Sequence, residues 1–203
     1  MTQRAIIYQA ASLLLQYPTE SLVGRLPLLR EALGGTSLAS HFEPWLSRLE
    51  SAPLSELQSD YVQEFDLSRR HSLHLSYWST GDTRQRGMEL LSYKEIFRAS
   101  GVDLTANAEL PDYLPAILEF AACVDPDAGY DMLVRHRPEL EMLRISVTDD
   151  GLPQAGVLKA VCETLPGASP VTRDDAKAML KATENPETVG LTFLTLLPSR
   201  PGG

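Results

Sequence analysis

Five arginines, two histidines and a run of aromatics crowd one stretch of this 203-residue chain, from Asp60 to Ala122. His71 and His74 lie three residues apart, a spacing that puts two imidazoles on one side of a helix, as some metal sites require. Two ligands do not make a site. No motif sets Asp66 or Asp82 at a fixed distance from them, so no metal or other cofactor is expected. Arg69, Arg70, Arg84 and Arg86 carry planar forks suited to a carboxylate or a phosphate. The same four can instead pair with Asp66, Asp82 and Glu89 and hold a loop against the start of the next helix. Tyr61, Phe65, Tyr77, Trp78 and Tyr93 fit a core at helical spacing. They equally fit a groove, because Tyr and Trp offer a broad apolar face with one polar handle for an amphipathic peptide. No glycine-rich phosphate loop ending in Lys-Ser or Lys-Thr, no nucleophile elbow and no fixed Cys-His frame occurs. The stretch therefore reads as a gripping surface without catalysis, and no catalytic residue is named.

The elements that must position these side chains are helices. Asp82 followed by Gln85 has the spacing of a capping box, so a helix is expected to start there, with Gly81 in the turn and Gly87 allowing close helix packing. Leu90, Tyr93, Ile96 and Phe97 give it one apolar face, and Gly101 stops it. Upstream, Ile6, Ile7, Ala10, Leu13 and Leu14 mark a helix that ends before Pro18, and Thr19 caps the next, which Pro27 kinks or splits. Two more helices carry Phe42, Trp45, Leu46 and Leu49, then Leu57, Tyr61 and Phe65 behind Pro53. Leu73, Leu75 and Tyr77 alternate as in a strand, yet no partner run exists. Downstream, Pro115 fits only a first turn, Asp127 caps a helix that Pro138 interrupts, Asp149 or Asp150 caps another, and Thr172 with Asp175 caps the last. The sum is one all-α domain of nine to eleven helices over residues 1–183, followed by an apolar, partly mobile tail over residues 184–203.

A hydrophobic share of 43% is ample for one packed core. With 27 acidic against 18 basic side chains the net charge is -9, which argues against nucleic acid and for a basic partner segment. Cys123 and Cys162 are too few for a disulfide framework, and both fall on apolar helical patterns, so both are expected as reduced core residues. No run of about eighteen apolar residues and no signal-peptide pattern occurs, so neither membrane insertion nor export is expected and the location reads as cytoplasmic.

Three blocks carry a family resemblance: Tyr61-Val62-Gln63-Glu64-Phe65-Asp66-Leu67-Ser68-Arg69-Arg70, Ser72 to Tyr77, and Gly81-Asp82-Thr83-Arg84 with Arg86-Gly87-Met88. Leu110-Pro111-Asp112-Tyr113-Leu114-Pro115, Leu118-Glu119-Phe120-Ala121-Ala122 and Val189-Gly190-Leu191 add to it. The chain resembles the NarJ-type assembly chaperones of respiratory nitrate reductase, within the wider TorD and DmsD group of redox-enzyme maturation chaperones. It departs from familiar members at His71 and Trp78. The resemblance implies a single-domain helical bundle. It also implies a partner, the apo catalytic subunit of nitrate reductase with its N-terminal segment, held competent for molybdenum cofactor insertion and released before the enzyme is complete. Client-binding candidates are then Tyr61, Phe65, Asp66, Tyr77, Asp82, Arg84, Arg86, Asp112 and Glu119. The competing assignment makes the arginines a carrier site for the anionic molybdenum pterin cofactor.

Overall fold

The computed structural model describes residues 2–81, 83–104 and 109–184. Twelve α-helices occur among them: α1 (Gln3–Leu14), α2 (Glu20–Gly24), α3 (Leu26–Gly34), α4 (Ala39–Ser51), α5 (Leu54–Tyr61), α6 (Ser76–Thr80), α7 (Arg84–Ala99), α8 (Leu114–Cys123), α9 (Pro126–Arg135), α10 (Arg137–Asp149), α11 (Ala155–Glu163) and α12 (Arg173–Glu184). The only extended pairing among the described residues is an isolated antiparallel bridge between His74 and Tyr113. The fold is thus an all-helical, single-domain bundle. The alternating Leu73 to Tyr77 segment supplies α6 and that bridge, which takes the helix count past eleven. The tail beyond residue 184 lies outside the described residues.

Most boundaries follow local chemistry. Thr2 and Thr19 accept from the Ala5 and Leu22 amides, each at 3.2 Å, and Pro27 sits in the first turn of α3, so the run splits there. Thr172 and Asp175 cap each other reciprocally, the Thr172 hydroxyl accepting from the Asp175 amide at 3.2 Å and donating to its carboxylate at 2.7 Å. Two expected caps are corrected. Asp125, not Asp127, accepts from the Ala128 amide at 3.0 Å, because Pro126 opens α9 and leaves Asp127 inside the first turn. Neither Asp149 nor Asp150 caps α11, since α10 runs through Asp149 and the chain turns at Gly151 (φ 68°) before Gln154 precedes the next helix. Pro138 does divide the region, but by opening α10 rather than bending it.

The core centres on α1, which packs along α8 and against α11. The Ser12 hydroxyl donates to the Pro115 carbonyl at 2.8 Å inside that contact. The C-terminal carbonyls of α1 find side-chain donors, Trp45 Nε1 on Leu14 at 2.8 Å and the Tyr61 hydroxyl on Leu15 at 3.2 Å. Glycine enables two close helix contacts that spacing did not reveal. A Cβ on Gly129 would overlap the Ala121 backbone, and one on Gly156 would overlap the His41 carbonyl. Gly87, expected to serve close packing, meets nothing within 4 Å and lies exposed on α7. Cys162 is buried as expected, but Cys123 is exposed and its thiol donates to Gln9 Oε1 at 2.8 Å. The apolar pattern around Cys123 belongs to the residues just before it, Phe120, Ala121 and Ala122, which are buried. No helix among the described residues is long and apolar enough to cross a membrane.

Candidate functional site

Directly after α5 the backbone widens into one π-helical turn, Val62–Asp66, closed by the Leu67 amide on the Val62 carbonyl at 2.9 Å. Such turns recur at functional sites, and no residue type in the sequence announces this one. It leaves Phe65 stacked on Tyr61, ring centroids 5.0 Å apart, and only half-buried. A short 3₁₀ turn, Arg69–His71, follows and is bolted to the end of α10. His71 is 1% exposed, with Nε2 at 2.8 Å from the Asp150 carboxylate and Nδ1 at 3.0 Å from the Glu64 carbonyl. Arg70 donates to the other Asp150 oxygen at 2.7 Å. Trp78 closes the stretch by donating its indole N–H to the Ser72 carbonyl at 2.9 Å. Both departures from the family pattern thus have internal partners.

Asp112 is the hub behind this surface. It is 0% exposed, accepts the Ser76 hydroxyl at 2.5 Å, meets His74 Nδ1 at 3.0 Å and takes the Arg86 guanidinium at 3.4 Å. Burial alone would raise its pKa, but the His74 and Ser76 bonds with the nearby positive charge outweigh it and hold the carboxyl below its ordinary value. Its backbone carbonyl also accepts from the Leu75 amide at 3.0 Å, while the Leu114 amide donates to Leu73 at 2.8 Å. The start of α8 is thereby tied to the stretch before α6.

In front of that frame lie two adjoining clefts. One, of about 280 Å³, is lined by Tyr17, Tyr61, Phe65, Asp66, His74, Glu109 and Tyr113 among others. The other, of about 270 Å³, shares Phe65, Asp66, Ser72 and His74 and adds Arg69 and Tyr77. The Tyr17 and Tyr113 rings stand beside Tyr61 and His74, with centroids 5.6 and 5.4 Å apart. Asp66 and Glu109 give the first cleft an acidic margin. Burial pushes the Tyr61 phenol far above its ordinary range, and the neighbouring Tyr113 and those acids push the same way.

Of the sequence candidates, Tyr61, Phe65, Asp66 and Tyr77 come together along these clefts. Tyr61 is itself buried, its hydroxyl spent on α1, so it presents a wall rather than a polar handle. Arg86 and Asp112 meet each other behind the surface. Arg84 and Glu119 are exposed on α7 and α8 and line neither cleft. Asp82, with its expected cap, lies outside the described residues, and α7 starts at Arg84 behind Thr83, which makes no side-chain cap bond. Among the described residues Arg70 pairs with Asp150 and Arg86 with Asp112, two carboxylates that the sequence did not offer as partners. Residue spacing missed Tyr17, His74, Glu109 and Tyr113 as lining residues. Tyr17 and Glu109 carried no signal beyond standing next to a helix end or a loop.

A family model described as nitrate reductase delta subunit matches residues 26–132. The nitrate reductase-like protein NarX of Mycobacterium tuberculosis (strain ATCC 25618 / H37Rv) is 38% identical over 159 residues, 78% of this chain. The chain spans only 24% of that relative's length. A Bacillus subtilis (strain 168) protein named probable nitrate reductase molybdenum cofactor assembly chaperone NarJ is 33% identical over 66% of this chain and 74% of its own. Among solved structures, one described as a redox enzyme maturation protein of Archaeoglobus fulgidus superposes with a TM-score of 0.61 at 22% identity, over 79% of this chain and 92% of that one. That likeness speaks for the fold, and the matching residues place the chain more narrowly: it belongs to the nitrate reductase delta subunit family.

Proposed function

We propose that this protein is a client-specific chaperone for the apo catalytic subunit of a respiratory nitrate reductase. It binds that subunit, including its N-terminal segment, keeps it competent for molybdenum cofactor insertion, and leaves before the complex is finished. The observation that carries this reading is the pair of aromatic clefts with an acidic margin, in a chain whose relatives include a named assembly chaperone. Half-exposed Phe65 and Tyr77 offer apolar anchor points for an amphipathic helix, and Asp66 and Glu109 offer its basic residues a counter-charge. The net charge of -9 steers a basic segment toward the protein from a distance. Cofactor carriage by the arginines is the weaker reading, because Arg70 and Arg86 already hold carboxylates. Calorimetry with a peptide matching the N-terminus of the catalytic subunit tests the proposal. Saturable heat is expected with that peptide and none with a scrambled one, and equal behaviour of the two would overturn it.

A further inference from the structure

A cavity of about 760 Å³ lies away from the aromatic clefts, between the end of α6, α7, the α9–α10 junction and α12. Glu89 from α7, His136 from the junction and Glu139 from α10 converge in its wall. His136 Nδ1 stands 3.7 Å from Glu89 Oε1 and 3.6 Å from Glu139 Oε1, and one ligand atom from each residue falls within 4.8 Å of the others. These distances are too long for hydrogen bonds. His136 is 7% and Glu139 5% exposed, yet His136 Nδ1, Glu139 Oε2 and Glu89 Oε2 are buried with no hydrogen-bond partner. Polar atoms in that condition cost stability unless something fills the space between them. The Tyr93 ring stacks on the imidazole at 4.6 Å and 22°, which holds the plane of the ring.

We propose that Glu89, His136 and Glu139 form a binding site for one divalent transition-metal cation. Bonds of about 2.0–2.2 Å to one nitrogen and two carboxylate oxygens place ligand atoms roughly 3–3.5 Å apart, so the triad needs to close by only a few tenths of an ångström at its two measured edges. An imidazole with two carboxylates suits zinc, cobalt or nickel better than calcium or magnesium, which take oxygen ligands. The ion offsets two carboxylates brought together in one buried wall. Its remaining coordination positions face the cavity, where a water or a donor group of an incoming segment fits.

The test uses the full, tag-free chain stripped with a chelator and titrated with zinc chloride alone. One equivalent is expected to bind and raise the melting temperature, and Glu89→Gln and Glu139→Gln are each expected to weaken binding at least tenfold. Cys123→Ser, which removes the exposed thiol, is expected to leave affinity unchanged. Cobalt(II) added to the wild-type chain reports without any variant, because it should shift the proton resonances of the His136 ring. Absence of stoichiometric binding, affinity that survives the double Gln variant, or an unshifted His136 ring would each overturn the site, leaving a polar pocket filled by water.

Discussion

His74 Nδ1 meets the Asp112 carboxylate at 3.0 Å, joining two residues 38 apart in sequence across the base of the aromatic clefts. Removing that carboxylate leaves Arg86 without one of its partners and the Ser76 hydroxyl without its acceptor in a buried setting. Asp112→Ala is therefore expected to cost about 3 kcal/mol, the scale for breaking a buried pair. Glu119→Ala, on the exposed face of α8, should stay within about 0.5 kcal/mol. Urea unfolding of both variants checks the contrast, and equal costs would remove Asp112 from its place in the frame.

The depressed Asp112 pKa fixes the direction of one pH effect. The unfolded chain holds the Asp112 proton more tightly than the folded one, so acidification favours unfolding. Its contribution is fully present above the ordinary value of 3.8 and is lost as the pH falls below that, through the folded-state value. Unfolding free energies of the wild type and Asp112→Asn should differ most near neutral pH and converge on acidification. A gap that widens toward low pH would contradict the assignment.

Phe65 is the apolar side chain common to both clefts, and it is half-buried against Tyr61. Phe65→Ala is expected to weaken the nitrate reductase peptide by at least tenfold, about 1.4 kcal/mol or more. Glu119→Ala should leave the same affinity unchanged. Calorimetry on the two variants locates the client, and the reverse order of effects would move it from the clefts to the exposed face of α8.

Charge complementarity at the acidic margin makes client binding sensitive to salt. Raising ionic strength from about 0.05 to 0.5 M should weaken the peptide several-fold, chiefly by slowing association. Asp66→Asn should flatten that dependence. Stopped-flow association rates across the salt series measure both effects, and a salt-independent rate would leave only apolar contacts.

Three glycines on helices separate packing from propensity. Gly129→Ala forces a methyl into the Ala121 backbone and should destabilise by about 1–3 kcal/mol. Gly156→Ala, against the His41 carbonyl, should do the same. Gly87→Ala meets open space on α7 and should stabilise by about 0.5–1 kcal/mol. Thermal melts of the three variants give the signs directly.

What the sequence determined by itself was local. Thr19, Pro27, Pro115, the Thr172 and Asp175 pair and the glycine after α7 act within a few residues of themselves, so their chemistry set helix starts, splits and stops before any packing was considered. The motif blocks also identified the family, because residue identity is all that such a match needs. Tertiary structure alone decided how the charges were spent. Asp150 reads as a helix cap until the return of α10 brings it against Arg70 and His71, 80 and 79 residues earlier. Asp112 reads as a surface acid until the bridge at His74 buries it. Glu89, His136 and Glu139 share no sequence motif, and only the crossing of α7 with the α9–α10 junction gathers them. Helix propensity depends on neighbours along the chain, whereas the partner of a buried charge depends on which helices cross, and no spacing in one sequence encodes that crossing.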